Sequence, residues 1–172
     1  IPDILDEVFN NFAQKPAFHN MGKTISYREL EGECKKFGSY LQNELNLQPG
    51  DKVALMMPNI LQYPIALFGL LKAGFVAVNV NPLYTARELE HQLKDSGAKA
   101  IVIFANSAHI LEKVIANTPV KHVIITQIGD LLGFPKSMIV NFVIKNIKKM
   151  VPAYNLPRAV CFKKALRLGE KA

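Results

Sequence analysis

Two spacings of apolar residues alternate along the chain, and together they predict alternating strands and helices. Residues 52–57, 75–80, 100–104 and 122–126 are apolar almost throughout, which is typical of strands buried on both faces. Between them, apolar residues recur three or four positions apart, as on one face of a helix. The pattern predicts an α/β layered fold in which a mainly parallel sheet is flanked by helices.

Helix start signals support this interpretation. Residues 26–29 (Ser-Tyr-Arg-Glu) and 85–88 (Thr-Ala-Arg-Glu) each match the capping box, in which a hydroxyl and a glutamate satisfy free backbone amides reciprocally. Asn59 and Ser107 stand directly before other helical stretches and are expected to cap them. Four helix starts are therefore predicted, each at a boundary with a strand or turn.

The pattern changes after residue 127. Residues 131–134 are predicted to form a loop and residues 136–150 a helix with an apolar arc over more than half its circumference. Residues 160–162 are compatible with a short strand, and the last residues resemble a tail without structure of its own. The closing quarter is therefore predicted less regular than the rest.

Composition narrows the class of protein. Apolar residues make up 49% of the chain, yet no apolar run reaches the roughly 18–20 residues that a spanning helix needs. The first residues lack the basic and apolar regions of a signal peptide, so a cytoplasmic location is expected. Cys34 and Cys161 are far apart and are expected to be buried packing residues.

Charge is concentrated in the last quarter. Residues 1–130 carry 12 basic and 13 acidic side chains, whereas residues 131–172 carry 9 basic and 1 acidic, a net charge of +8. The helix predicted at 136–150 combines these lysines with apolar residues, which suits the surface of an anionic membrane at the inner face of the cell membrane. Packing of its apolar arc on the sheet is the alternative. The membrane-surface candidates are Lys136, Met138, Phe142, Lys145, Lys148 and Lys149.

Motifs for chemistry are missing from the sequence. The two closest glycines, Gly129 and Gly133, are four positions apart, so no glycine-rich phosphate cradle is present. No serine-nucleophile elbow occurs, the acidic residues follow helix surfaces, and His and Cys residues lack metal-ligand spacing. The sequence therefore predicts no catalytic residue and no metal ligand in this chain.

Three stretches resemble a known family. Residues 25–30 (Ile-Ser-Tyr-Arg-Glu-Leu) are similar to the "[LI]-[ST]-Y-x-E-L" signature of the acyl-adenylating, AMP-binding enzymes. Residues 51–59 are similar to the strand and turn that follow it there. Residues 71–82, with their continuation to Leu89, resemble the "LKAGxxxVxxxP…EL" signature. The order and spacing of all three stretches agree with that family.

The resemblance implies a reaction and its cofactors. These enzymes use ATP and Mg²⁺ to convert a carboxylate to an acyl-adenylate, and then transfer the acyl group to a thiol such as that of CoA. Residues 57–64 and 79–93 most resemble the bacterial members that act on long-chain fatty acids. The chain is then expected to be an incomplete N-terminal domain (residues 1–172) that is inactive alone, and a homodimer through this domain is implied.

Some assignments stay open at this stage. The loop Asn81, Pro82, Leu83 and Tyr84 follows a predicted parallel strand, where ligands of α/β sheets bind. The resemblance implies proximity to CoA, and a plain turn at the sheet edge is the alternative. A relative acting on aryl or short-chain acids, or a basic module for membranes or nucleic acid, are the other interpretations. Nucleic acid is not expected, because no exposed aromatic residues interleave with the lysines.

Overall fold

A five-stranded parallel sheet forms the centre of the computed structural model, which describes residues 2–172. A two-stranded antiparallel hairpin precedes it in the chain. The hairpin strands are β1 (Pro16–Asn20) and β2 (Lys23–Ser26), and the sheet consists of β3 (Lys52–Met56), β4 (Val76–Asn79), β5 (Ala100–Phe104), β6 (His122–Thr126) and β7 (Val160–Cys161). The order across the sheet is β4-β3-β5-β6-β7, and every neighbouring pair is parallel.

Helices cover both faces of this sheet. They are α1 (Pro2–Asn11), α2 (Tyr27–Ser39), α3 (Gln62–Lys72), α4 (Ala86–Ser96), α5 (Ala108–Val114), α6 (Lys136–Phe142) and α7 (Phe162–Gly169). Two π-helical turns, Tyr40–Glu44 and Val143–Ile147, extend α2 and α6, and short 3₁₀ turns flank α5. The predicted fold class, a mainly parallel sheet flanked by helices, is confirmed.

Alternate residues of each strand enter two separate hydrophobic cores. Val53 and Leu55 of β3 face the core that also contains α2, α3 and α7. Ala54 and Met56 face the opposite core, which α4 and α5 complete. Because successive side chains of a strand point to opposite faces, both sets must be apolar. The unbroken apolar runs of the sequence have this origin.

Two of the four predicted helix caps form as expected. In both capping boxes, the hydroxyl accepts a hydrogen bond from the N3 amide, and the glutamate accepts one from the N-cap amide. The cap predicted at Asn59 is wrong, because residues 58–61 form turns and α3 begins at Gln62 without a side-chain cap. The cap predicted at Ser107 is also wrong, since its hydroxyl donates to the Pro82 carbonyl instead. The residue type at a predicted cap position therefore does not by itself determine which group its side chain binds.

The end of the chain is more ordered than the sequence suggests. The residues expected to form a tail are the helix α7, whose Phe162 is fully buried against Phe37 with ring centroids 5.2 Å apart. Gly169 lies so close to α2 that an added Cβ would be 1.8 Å from the Lys36 carbonyl oxygen. The helix therefore approaches α2 backbone to backbone, which requires glycine at this position.

Of the two cysteines, one matches the expected burial and one does not. Cys34 is buried in the core, and burial raises the pKa of its thiol to about 12. It is therefore an uncharged packing group rather than a nucleophile. Cys161 lies on β7 and is exposed, so the expectation of a buried side chain is wrong there.

We expect Gly169→Ala to lower the free energy of unfolding by about 1–3 kcal/mol, because its methyl group would overlap the Lys36 carbonyl. The control is Gly32→Ala in α2, where nothing lies within 4 Å of an added Cβ. That substitution should raise stability by up to about 1 kcal/mol through helix propensity. Urea unfolding followed by circular dichroism measures both. Equal stability of the two variants would contradict the close contact.

Candidate functional site

The carboxyl ends of four parallel strands meet at one edge of the sheet, which we call the carboxyl edge. It comprises the loops after β3, β4, β5 and β6, at residues 57–61, 80–85, 105–107 and 127–135. In open α/β sheets, ligands bind in the crevice outside these ends. The carboxyl edge is therefore the candidate site.

The loop predicted to lie near substrate, residues 81–84, is held from both sides. The Asn81 Oδ1 atom accepts the Leu83 amide at 3.0 Å, and the Pro82 carbonyl accepts the Ser107 hydroxyl at 3.2 Å. Tyr84 is half-buried and packs on the core formed with α4 and α5. Leu83 is 87% exposed. The loop is thus a fixed turn that presents one apolar side chain at its tip.

Amides and a phenol connect the neighbouring loops. The Tyr63 hydroxyl donates to the Asn79 Oδ1 atom at 3.0 Å, and the Gln92 amide donates to the Asn79 carbonyl at 2.9 Å. Gln62, only 1% exposed, donates to the Gln127 carbonyl at 2.8 Å. These bonds join the ends of β4 and β6 to the helices beside them. They were not predicted from the sequence, although a glutamine opening an otherwise apolar helix was an available signal.

A buried carboxylate organises the loop after β6. Asp130 accepts the Gln127 amide at 2.9 Å and the Asn141 side-chain amide at 3.0 Å. The Asn141 Oδ1 atom in turn accepts the Gly129 amide at 2.8 Å. Burial raises the pKa of the Asp130 carboxyl, and these hydrogen bonds oppose that shift. The Asp130–Asn141 pair therefore fixes α6 to the sheet through polar contacts.

The consequence is an unusual orientation of α6 and its π-helical extension. The side nearest the domain carries Ser137, Val140, Asn141 and Ile144, whereas much of the apolar arc is exposed. The alternative prediction, that the apolar arc packs on the sheet, is therefore wrong for its larger side chains. The exposed members are Met138, Ile139, Phe142, Ile147 and Met150, with Phe134 in the preceding loop.

The lysines of this segment differ in their surroundings. Lys145, Lys148 and Lys149 are exposed, and no carboxylate of residues 2–172 lies within 4.0 Å of their ammonium groups. The Lys136 ammonium instead donates to the Met21 carbonyl of the hairpin turn. Three unpaired lysines therefore lie beside the exposed apolar residues, whereas Lys136 connects the start of α6 to the hairpin turn.

Two further features bear on the kind of site. Within residues 2–172, no three His, Cys, Asp or Glu side chains are grouped as metal ligands would be. Over the same residues, no helix combines the length and apolarity needed to cross a bilayer.

The chain belongs to the AMP-binding enzyme family, whose model matches residues 5–162. The match includes the carboxyl edge, both capping boxes and α6. The family predicted from residues 25–30, 51–59 and 71–89 is thereby confirmed.

Several curated relatives align with nearly the whole chain. The chain is 58% identical to a long-chain-fatty-acid–CoA ligase of Haemophilus influenzae over 170 residues, and 56% identical to one of Escherichia coli O6:H1 over 167 residues. These alignments cover 99% and 97% of this chain but only 30% of each relative. The chain thus spans about 30% of the length of the curated relatives that it matches.

Solved structures agree on the fold. An anthranilate CoA ligase bound to anthranoyl-AMP superposes with a TM-score of 0.76 at 19% identity, covering 97% of this chain and 27% of that one. A benzoate CoA ligase from Burkholderia xenovorans gives 0.72 at 20% identity, covering 96% and 28%. At such identities the likeness concerns the fold alone.

Proposed function

We propose that the protein containing this chain joins long-chain fatty acids to CoA. In this reaction, the fatty carboxylate attacks the α-phosphate of ATP, releasing pyrophosphate and forming an acyl-adenylate. The CoA thiol then displaces AMP to give the acyl-CoA. The observation that carries the proposal is the 58% identity over 99% of the chain to a ligase of that name. ATP, Mg²⁺ and CoA are the proposed cofactors.

The proposed part of this chain is structural. Residues 2–172 contain no group of metal-ligating side chains for Mg²⁺, and the sequence has no glycine-rich cradle for the phosphates of ATP. The chain contributes a carboxyl edge whose loops are held by hydrogen bonds at Asn79, Pro82 and Asp130. A cytoplasmic location, expected from the sequence itself, and a homodimer, implied by the resemblance, remain predictions.

We expect the full-length gene product to form acyl-CoA from hexadecanoate, with one pyrophosphate released per acyl-CoA. The 172-residue chain should form neither product, because it has no phosphate cradle. Coupled detection of pyrophosphate together with mass spectrometry of the acyl-CoA measures both. Acyl-CoA formation by the chain alone would refute its scaffold role. A full-length product that used only aryl or short-chain acids would refute the assigned substrate class.

We also propose that the loop 81–84 borders the path of the CoA nucleotide. The support is its place at the carboxyl edge and its fixed conformation, which leaves Leu83 at the tip and Tyr84 beside it. A preformed turn can contact a ligand without the entropic cost of ordering a mobile loop. The alternative is a plain turn at the sheet edge.

Removing the Tyr84 hydroxyl in the full-length enzyme tests this loop. Tyr84→Phe keeps the packing of the ring and removes only the hydroxyl. Because one hydrogen bond to CoA would be lost, we expect the Michaelis constant for CoA to rise about 3–10-fold. The constants for ATP and fatty acid should stay within twofold. Tyr27→Phe, a half-buried tyrosine that begins α2 and packs on Phe12, is the matched control. An unchanged constant for CoA would leave Tyr84 with a packing role only.

Finally, we propose that the segment 136–150 binds the surface of an anionic membrane. Met138 and Phe142 are 65% and 59% exposed and lie one helical turn apart. The unpaired lysines described above flank them. Each such lysine contributes about 1 kcal/mol near an anionic leaflet, and the apolar side chains can enter the interface. Long-chain fatty acids, which are sparingly soluble in water, would be taken up at that surface.

Vesicle sedimentation tests the membrane proposal. Changing Lys145, Lys148 and Lys149 to Glu should abolish binding to vesicles of mixed phosphatidylglycerol and phosphatidylcholine, and Phe142→Ser should weaken it. A matched control changes three other exposed lysines to Glu and should bind as the wild type does. Equal binding to neutral and anionic vesicles, or retention by the triple variant, would contradict the proposal. The control lysines are Lys52, Lys163 and Lys164.

A further inference from the structure

A cavity of about 670 Å³ opens at the edge of the sheet opposite to the carboxyl edge. Lys121, directly before β6, and His122, its first residue, line the cavity together with the segment 155–159, which leads into β7. Because β6 and β7 are parallel, both of these stretches lie at the amino ends of their strands. The cavity is therefore separated from the loop 81–84 by the length of the sheet.

The floor of this cavity is apolar. Val120 and Val123 are nearly fully buried, and Leu156 and Ala159 pack on the same core from the other side. Ligand pockets in proteins commonly have volumes of roughly 300–1,000 Å³ with mainly apolar walls and a few polar groups. The size and floor of the cavity thus suit the apolar body of a small molecule.

The rim of the cavity is positive. Lys121 and Arg158 line it from two different stretches of chain, and both are exposed. Neither has a carboxylate within 4.0 Å among residues 2–172, and no Asp or Glu lines the cavity. Asn155 adds an amide that can donate a hydrogen bond. Two unneutralised cations above an apolar floor are complementary to an anionic headgroup joined to an apolar chain.

We propose that this cavity is a binding site for a long-chain carboxylate. Its head would lie between Lys121 and Arg158, and its chain would lie on the floor formed by Val120, Val123 and Leu156. The site binds and releases such a molecule without covalent change. It goes beyond the proposed ligase reaction, since it needs neither ATP nor CoA.

The path of the chain adds a reason for this location. The strands β6 and β7 are parallel neighbours, so residues 127–159 must run from the carboxyl edge back to the amino edge. Residues 151–154, of which Val151 and Tyr154 pack on the core of α4 and α5, follow the segment 136–150, and residues 155–159 then form the cavity wall. The cavity is thus connected in sequence to the surface proposed to meet the membrane, where long-chain carboxylates are concentrated.

Calorimetry with dodecanoate, kept below its critical micelle concentration, tests the site in the 172-residue chain. We expect saturable binding of one molecule, and Lys121→Glu with Arg158→Glu should weaken it about tenfold or more, because two charge-assisted contacts become repulsive. The matched control, Lys52→Glu with Arg167→Glu, makes the same change of charge at exposed residues outside the cavity and should change affinity less than twofold.

His122 provides an independent readout. Burial, together with the neighbouring Lys121, lowers the pKa of its imidazole, and a carboxylate bound nearby should raise that pKa again. Proton NMR titration of His122 with and without dodecanoate measures the change, which the variant of Lys121 and Arg158 should not show. An unchanged pKa at saturation would place the ligand elsewhere and overturn the proposal.

Three further outcomes decide the ligand and its source. Dodecanol binding as tightly as dodecanoate would refute the role of the cations. Displacement of dodecanoate by millimolar inorganic phosphate would refute the role of the floor and indicate a site for free anions. In the full-length gene product, the variant of Lys121 and Arg158 should lose one of two bound dodecanoates. If the variant loses neither dodecanoate, the rest of the protein occupies the cavity and the proposal is wrong. This outcome does not depend on whether the full-length protein is an active ligase.

Discussion

Burial of the central strands on both faces is the constraint on which the structure depends. Neighbouring residues of β5, such as Ile101 and Val102, lie in opposite cores and are fully buried. A strand of this kind cannot form one side of a domain, so helices must cover both faces. Helical crossovers make the strands parallel and gather their carboxyl ends at one edge. The location of the candidate site thus follows from the apolar pattern.

Features set by local contacts were predictable from the sequence. The strands were predicted from their own apolar runs and the capping boxes from residues three positions apart, and the structure has both close to their predicted bounds. The helix α7 was missed because its order derives from distant contacts, in which Phe162 meets Phe37 and Gly169 meets Lys36. The buried residues Phe162, Ala165 and Leu166 have helical spacing, but a stretch of eight residues is too short to form a stable helix without such contacts.

The candidate site was predictable only in outline. The loop 81–84 could be located from the end of a strand, whereas its anchoring by Ser107 could not, since that residue resembled a cap in the sequence. The network around Asp130 was also missed, because Gln127, Gly129 and Asn141 become neighbours only when α6 folds back. Among the side-chain amides that satisfy backbone groups in these loops, Gln62 had a sequence signal at the start of an apolar helix, whereas Asn141 had none.

The attachment of α6 also has a consequence for how the domain moves. Its largest apolar side chains contribute little to either core, and Asn141 holds it mainly through hydrogen bonds to Gly129 and Asp130. Detaching such a helix exposes little new apolar surface, so its opening requires far less free energy than unfolding of the sheet. Amide protons of this helix are therefore expected to exchange with solvent by local opening, at rates largely independent of global stability. In this respect the segment is a unit separate from the domain that bears it.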